Sequence, residues 1–97
     1  MAHAIVGVCT VYLELPDLFS IKEKRSILKS ILAKLHNTFN VSAAEIALND
    51  DLGTAVIAFA AVANSSAHAN SVISKALQWV EEHAHDVVVT DQQIEIL

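Results

Sequence analysis

The 97 residues hold one cysteine, one proline and two glycines. A lone thiol, Cys9, excludes an internal disulfide framework and fits a reducing compartment. Glycine at positions 7 and 53 only leaves no room for a glycine-rich phosphate loop. So few turn formers, in a chain 54% hydrophobic, exclude disorder and any turn-rich repeat. No apolar run reaches the ~18–20 residues of a membrane span. The first residues also lack the basic-then-apolar order of a secretory signal. A soluble, cytoplasmic protein without membrane attachment is the expectation, folded as one domain over residues 1–97.

Positive charge is scarce as well. Six Lys and Arg face eleven Asp and Glu, for a net charge of −5. That balance argues against a general attraction to nucleic acid, which needs a basic domain. Five of the six bases nevertheless lie between Lys22 and Lys34, so a local basic patch is available.

Residues 4–14 are β-branched and aromatic, which predicts a strand. Ile5, Cys9, Val11 and Leu13 share one face; Val6, Val8 and Tyr12 share the other. Pro16 closes it. Ser20 and Glu23 have the spacing of a capping box, and Ile27, Leu28, Ile31, Leu32 and Leu35 follow at helical period, predicting a helix over 21–38. A second strand over 41–48 places Ala44, Ile46 and Leu48 opposite Glu45. Asn49 to Gly53 reads as a turn, with Gly53 free to take a positive φ. The third strand, 54–63, alternates Ala55, Ile57, Phe59 and Ala61 with Val56, Ala58, Ala60 and Val62. Asn64, Ser65 and Ser66 are candidate caps for a second helix with Ala69, Val72, Ile73, Ala76, Leu77 and Val80 inward. Val87–Val89 and Ile94–Leu97 form a last strand, interrupted by Asp91, Gln92 and Gln93, as an edge strand with a bulge would be.

The order β-α-β-β-α-β is the split βαβ motif. Right-handed crossovers place both helices on one face of a four-stranded antiparallel sheet of order 4-1-3-2, an α+β, ferredoxin-like fold. Two helices cover one face only, yet strands 1 and 3 are apolar on both. Val6, Val8 and Tyr12 then belong to an open apolar patch of the kind that marks an interface, and a homodimer or larger homo-oligomer is expected there. The small side chains of Ala58 and Ala60 leave a second reading, a modest patch covered by a loop.

Lys22, Arg25 and Lys29 fall within about 60° of one another on helix 1 at ~100° per residue, whereas Lys24 and Lys34 point elsewhere. A phosphate backbone or an acidic partner suits such a stripe, and so does plain solvent. Base stacking on the open sheet would need aromatic residues there, and only Tyr12 and Phe59 are candidates. His83, His85 and Asp86 are metal-ligand types, but no further ligand is evident, and a helix C-terminus accounts for His83. Cys9 reads as a small buried hydrophobe. Asp50 and Asp51 are explained by turn chemistry. No nucleophile, base and acid assemble, so neither a catalytic residue, a metal nor a cofactor is expected, and the chain is read as a non-enzyme.

Phe19 to Lys29 reads Phe-Ser-Ile-Lys-Glu-Lys-Arg-Ser-Ile-Leu-Lys. It resembles the Ser-Leu-Lys-Glu-Lys-Arg-Ser-Val-Leu-Lys signature of the YlxP-like family, small bacterial proteins classed as a domain of unknown function. The runs starting at Ile5, Phe39 and Ile94 are similar too, so the likeness spans essentially the whole chain. It implies a ferredoxin-like fold and a cytoplasmic protein. Family members are often encoded near translation and ribosome-maturation factors, which implies a partner such as rRNA or a ribosomal subunit. The motif residues carried over are Ser20, Lys22, Glu23, Lys24, Arg25 and Lys29. The family's Asp-Leu-Trp-Gln-Arg stretch is replaced by Asp-Leu-Gly-Thr-Ala from Asp51. Three readings follow: an RNA- or ribosome-associated accessory protein, a protein-binding dimer, and a small-ligand sensor.

Overall fold

A computed structural model describes residues 2–97. The elements are β1 (Ile5–Glu14), α1 (Ile21–Phe39), β2 (Ser42–Ala47), β3 (Thr54–Ala63), α2 (Ser66–His83) and β4 (Val88–Ile96). The sheet is antiparallel, in the order β2-β3-β1-β4, so the two most apolar strands are central and the two shorter or more polar ones are edges. This is the ferredoxin-like arrangement that the element order demands.

Both helices start at a serine cap. The Glu23 amide donates to Ser20 Oγ and the His68 amide to Ser65 Oγ, each at 3.1 Å. One of the orphan amides of each first turn is satisfied in this way. Asn40 ends α1 in the left-handed region, φ 53°, which asparagine tolerates. His36 Nδ1 lies 2.9 Å from the Val41 carbonyl oxygen and ties the helix end to the chain leaving it.

α1 lies against β2, while α2 crosses β1 and β3. Cys9, Val11, Leu13, Ile57 and Phe59 point up from the sheet into Leu28, Leu35, Ile73, Ala76 and Val80. Each large side chain so buried contributes about 1.5–3 kcal/mol. Cys9 is fully buried here, and its thiol is pushed up to about 11, first by burial and then by the charge of Glu81. It is held as an inert thiol, as its apolar neighbours predicted.

Three local features depart from the sequence reading. β4 is not interrupted: Asp91, Gln92 and Gln93 pair with β1 like their neighbours. An edge strand pairs through its backbone, and its polar side chains stay in water. The irregularity is instead a bulge at Thr90, whose hydroxyl donates to the Tyr12 carbonyl at 3.2 Å. The second departure is in β2, where a register shift between Glu45 and Ala47 breaks the alternation and Leu48 lies outside the strand. Thirdly, the positive φ of the β2–β3 turn belongs to Leu48, φ 61°, and not to Gly53.

Gly7 is required by packing. A Cβ there would sit 3.0 Å from Ile73 Cγ1 and 3.4 Å from Ala69, so α2 rests directly on the β1 backbone. Around Gly53 a Cβ would meet nothing within 4 Å. Gly7→Val should therefore destabilise the fold by about 1–3 kcal/mol through overpacking. Gly53→Ala should be neutral or stabilising by up to about 1 kcal/mol, since it only restricts the unfolded chain. Urea unfolding of the two variants checks the contrast.

Candidate functional site

The α1 motif divides by what its side chains touch. Ser20 is the cap. Glu23 presents its amide to that cap, and no return bond from its carboxylate forms among the described residues. The capping box is thus half made.

Lys24 has a role that the charge pattern concealed. It is fully buried, the one buried charged side chain among the described residues. Its Nζ donates to the carbonyls of Leu48 at 2.6 Å and Asp51 at 2.5 Å. Glu45 Oε2 lies 3.3 Å away but outside hydrogen-bond geometry, and it has no other partner, so this contact acts through charge. Rotatable donors on a compact ammonium suit two carbonyls converging from different directions, with the carboxylate's charge beside them. Glu45 points to the helix side of the sheet because its register partner is the buried Ile57. The Leu48 carbonyl also accepts from the Asp51 amide at 3.1 Å, closing a tight turn, and Leu15 N–H donates to the Gly53 carbonyl at 2.9 Å. A bulky residue at positive φ costs on the order of 1–3 kcal/mol unless its surroundings hold it. Here the ammonium holds the carbonyl that this conformation presents.

Lys22, Arg25 and Lys29 are all exposed and form no ion pair among the described residues. They stand on the outer side of α1, away from the sheet. Val6, Val8 and Tyr12 lie on the opposite, open face of the sheet. Their register partners there are Val62, Ala60 and Val56. Val62 is 75% exposed and Tyr12 40%. Ile46, pushed out by the β2 bulge and 53% exposed, edges a shallow hollow of about 210 Å³ with Val8, Ala44, Ala58 and Ala60. The open face is therefore mostly apolar across β1, β2 and β3, with the polar side chains of Thr10 and Ser42 among them. Asp91, Gln93 and Glu95 of β4, opposite Tyr12, Thr10 and Val8, supply a polar border. The structure separates the cationic and apolar candidates onto two sides of the molecule. Phe59 leaves the stacking argument, because it is buried on the helix side. His83, His85 and Asp86 do not form a metal site: among the described residues no group of three or more His, Cys, Asp or Glu could hold a metal ion.

Sequence reasoning passed over a cavity between the helices. It measures about 210 Å³ and is lined by Ile27, Ser30, Lys34, Trp79, His83 and Asp86 among others. The Trp79 and His83 rings are 6.2 Å apart and within 7° of parallel, and Phe39 meets Trp79 at 6.4 Å and 58°.

Residues 6–94 match the family described as a protein of unknown function, DUF503. The chain belongs to the DUF503 family. The Bacillus subtilis (strain 168) protein named "Uncharacterized protein YlxP" is 34% identical over 73 residues, which cover 75% of each chain. Among solved structures, the de novo designed protein Ferredog-Diesel aligns over 98% of this chain and 86% of its own, at 12% identity and a TM-score of 0.45. No helix in the DUF503 chain described here is long and apolar enough to cross a membrane.

The Lys24 cluster yields a direct test. Lys24→Met leaves Glu45 without its counter-charge and two turn carbonyls without a donor, and should cost about 3 kcal/mol. Adding Glu45→Gln should recover part of that loss, so a double-mutant cycle by urea unfolding should return a coupling free energy clearly different from zero.

Proposed function

We propose that this protein is a non-enzymatic accessory factor that binds RNA, in the setting of the ribosome, through the outer side of α1. One observation carries the reading. Within the α1 motif, Ser20 caps the helix and Lys24 is committed to the β2–β3 turn, while Lys22, Arg25 and Lys29 are exposed and unpaired among the described residues. Three cations on one side of a helix, in a chain whose net charge is −5, are charge segregated to a single surface. Clustered cations bind phosphate by releasing condensed counterions, a mode that needs no preformed pocket. The apolar open face supplies a homodimer, which sets two such stripes on one particle and raises the affinity for an extended strand through effective concentration.

A second reading is favoured by the open face alone. Val6, Val8 and Tyr12, with Ile46 and Val62, form the kind of contiguous apolar surface that a soluble chain normally covers. In that reading the dimer or a protein partner is the function, and the α1 cations only keep the helix solvated.

Binding of single-stranded rRNA fragments or ribosomal subunits should weaken with salt, with a log–log slope of about −2 for three cations on one chain. Lys22→Glu combined with Arg25→Glu should abolish it. Unchanged binding in that double variant disposes of the RNA reading. Val8→Asp should dissociate the dimer in sedimentation. If partner capture then disappears while the α1 cations remain intact, the second reading is the correct one.

A further inference from the structure

We propose that the cavity between α1 and α2 is a stacking site for one nucleobase of a single-stranded RNA, a reading that rests on the RNA function above and names the base-reading element that the stripe lacks. Its lining carries each part such a site needs. Trp79 and His83 present two near-parallel rings, 6.2 Å apart at 7°, and every nucleobase has a π-face that such rings can stack against. Lys34 lines the same cavity from α1, is exposed, and forms no ion pair among the described residues. Its ammonium is placed for the phosphate of the stacked nucleotide. Ser30, one helical turn before it, adds a hydroxyl.

Asp86 supplies the discrimination. An ionised carboxylate only accepts, so it favours a base edge carrying an exocyclic amine, as on cytosine, over the carbonyl that uracil presents there. Asp86 and His85 also line a second cavity of about 100 Å³ that runs on past Ile27 to Pro16, Asp17 and Leu18, whereas Ser30 and Lys34 line only the first. The groove thus has a cationic end and an accepting end with the aromatic pair lining it. At about 210 Å³ the main cavity is smaller than the ~300–1,000 Å³ of drug-sized sites, which suits one ring and excludes a whole cofactor. Lys34 lies on the flank of α1 that faces α2, about 140° round the helix from the centre of the Lys22, Arg25 and Lys29 stripe at ~100° per residue, so a strand that crosses over α1 can place phosphates on the stripe and one base in the groove.

Trp79 is the only tryptophan of the chain, so its fluorescence reports on the groove alone. The full chain is titrated with cytidine monophosphate, with uridine monophosphate and with a short oligocytidylate. Saturable quenching by the cytidine nucleotide in the millimolar range is expected, with uridine several-fold weaker. Lys34→Glu should abolish the quenching, Asp86→Asn should erase the preference for cytidine, and Lys75→Glu, at an exposed cation outside both the groove and the stripe, should leave the mononucleotide response intact. All three sites are exposed, and far-ultraviolet circular dichroism verifies that the variants fold. No saturating quench by the cytidine nucleotide, or a quench unchanged in Lys34→Glu, overturns the groove as a base site. Filter binding of the oligocytidylate is read in parallel. If it persists with its salt dependence while the quench is absent, the groove fails and the RNA function stands. If the mononucleotide quenches but no oligonucleotide binds, the RNA function fails, and with it the proposed occupant.

Discussion

The molecule is organised by an unequal match between sheet and helices. β1 and β3 carry apolar side chains on both faces, and two helices of this length reach one face only. On the covered side, Cys9, Val11, Leu13, Ile57 and Phe59 meet α1 and α2 in a packed core. On the other, Tyr12, Val62 and Ile46 are exposed and Val6 and Val8 half-buried. Burial of apolar area is the main favourable term in folding and in association alike. The same strands that build the core therefore leave a driving force unspent on the far side, which the proposed second copy would cover. The α1 cations stay clear of such a contact because they lie across the molecule from it.

Lys24 explains why the α1 motif is dense in charge without all of its charge being at the surface. An ammonium inside a core is tolerated only when its donors are met. The β2–β3 turn meets them with the Leu48 and Asp51 carbonyls, and Glu45 supplies the opposite charge. The first turns of α1 are thereby anchored to the far end of β2, which fixes the orientation from which Lys22, Arg25 and Lys29 face outward. A structural lysine and three surface cations share one stretch of sequence, and they do different work.

Much of this architecture is legible in the sequence. Element order, caps and the two-faced character of β1 and β3 followed from period and composition, because strand alternation and helix spacing are local signals. The position of Lys24 was legible in principle: at ~100° per residue it falls within about 40° of Leu28, Ile31 and Leu35, the centre of the buried stripe. Its charge argued against that placement, and only the carbonyls it binds reverse the argument. The inward turn of Glu45 could not be read, since Ala43 and Ala44 before it give β2 no strong face. The bulges at Ile46 and Thr90 depend on the register of partner strands. The groove joins Lys34 to Trp79 and Asp86, which packing of α1 on α2 brings together from distant parts of the chain.

The account depends most on what covers the open face. Isotope-filtered nuclear Overhauser measurements on a mixture of labelled and unlabelled chains test this directly. Cross-chain contacts from the methyl groups of Val6 and Val8 and from the ring of Tyr12 are predicted. Tumbling of a single chain, with those groups in contact with water alone, would contradict it.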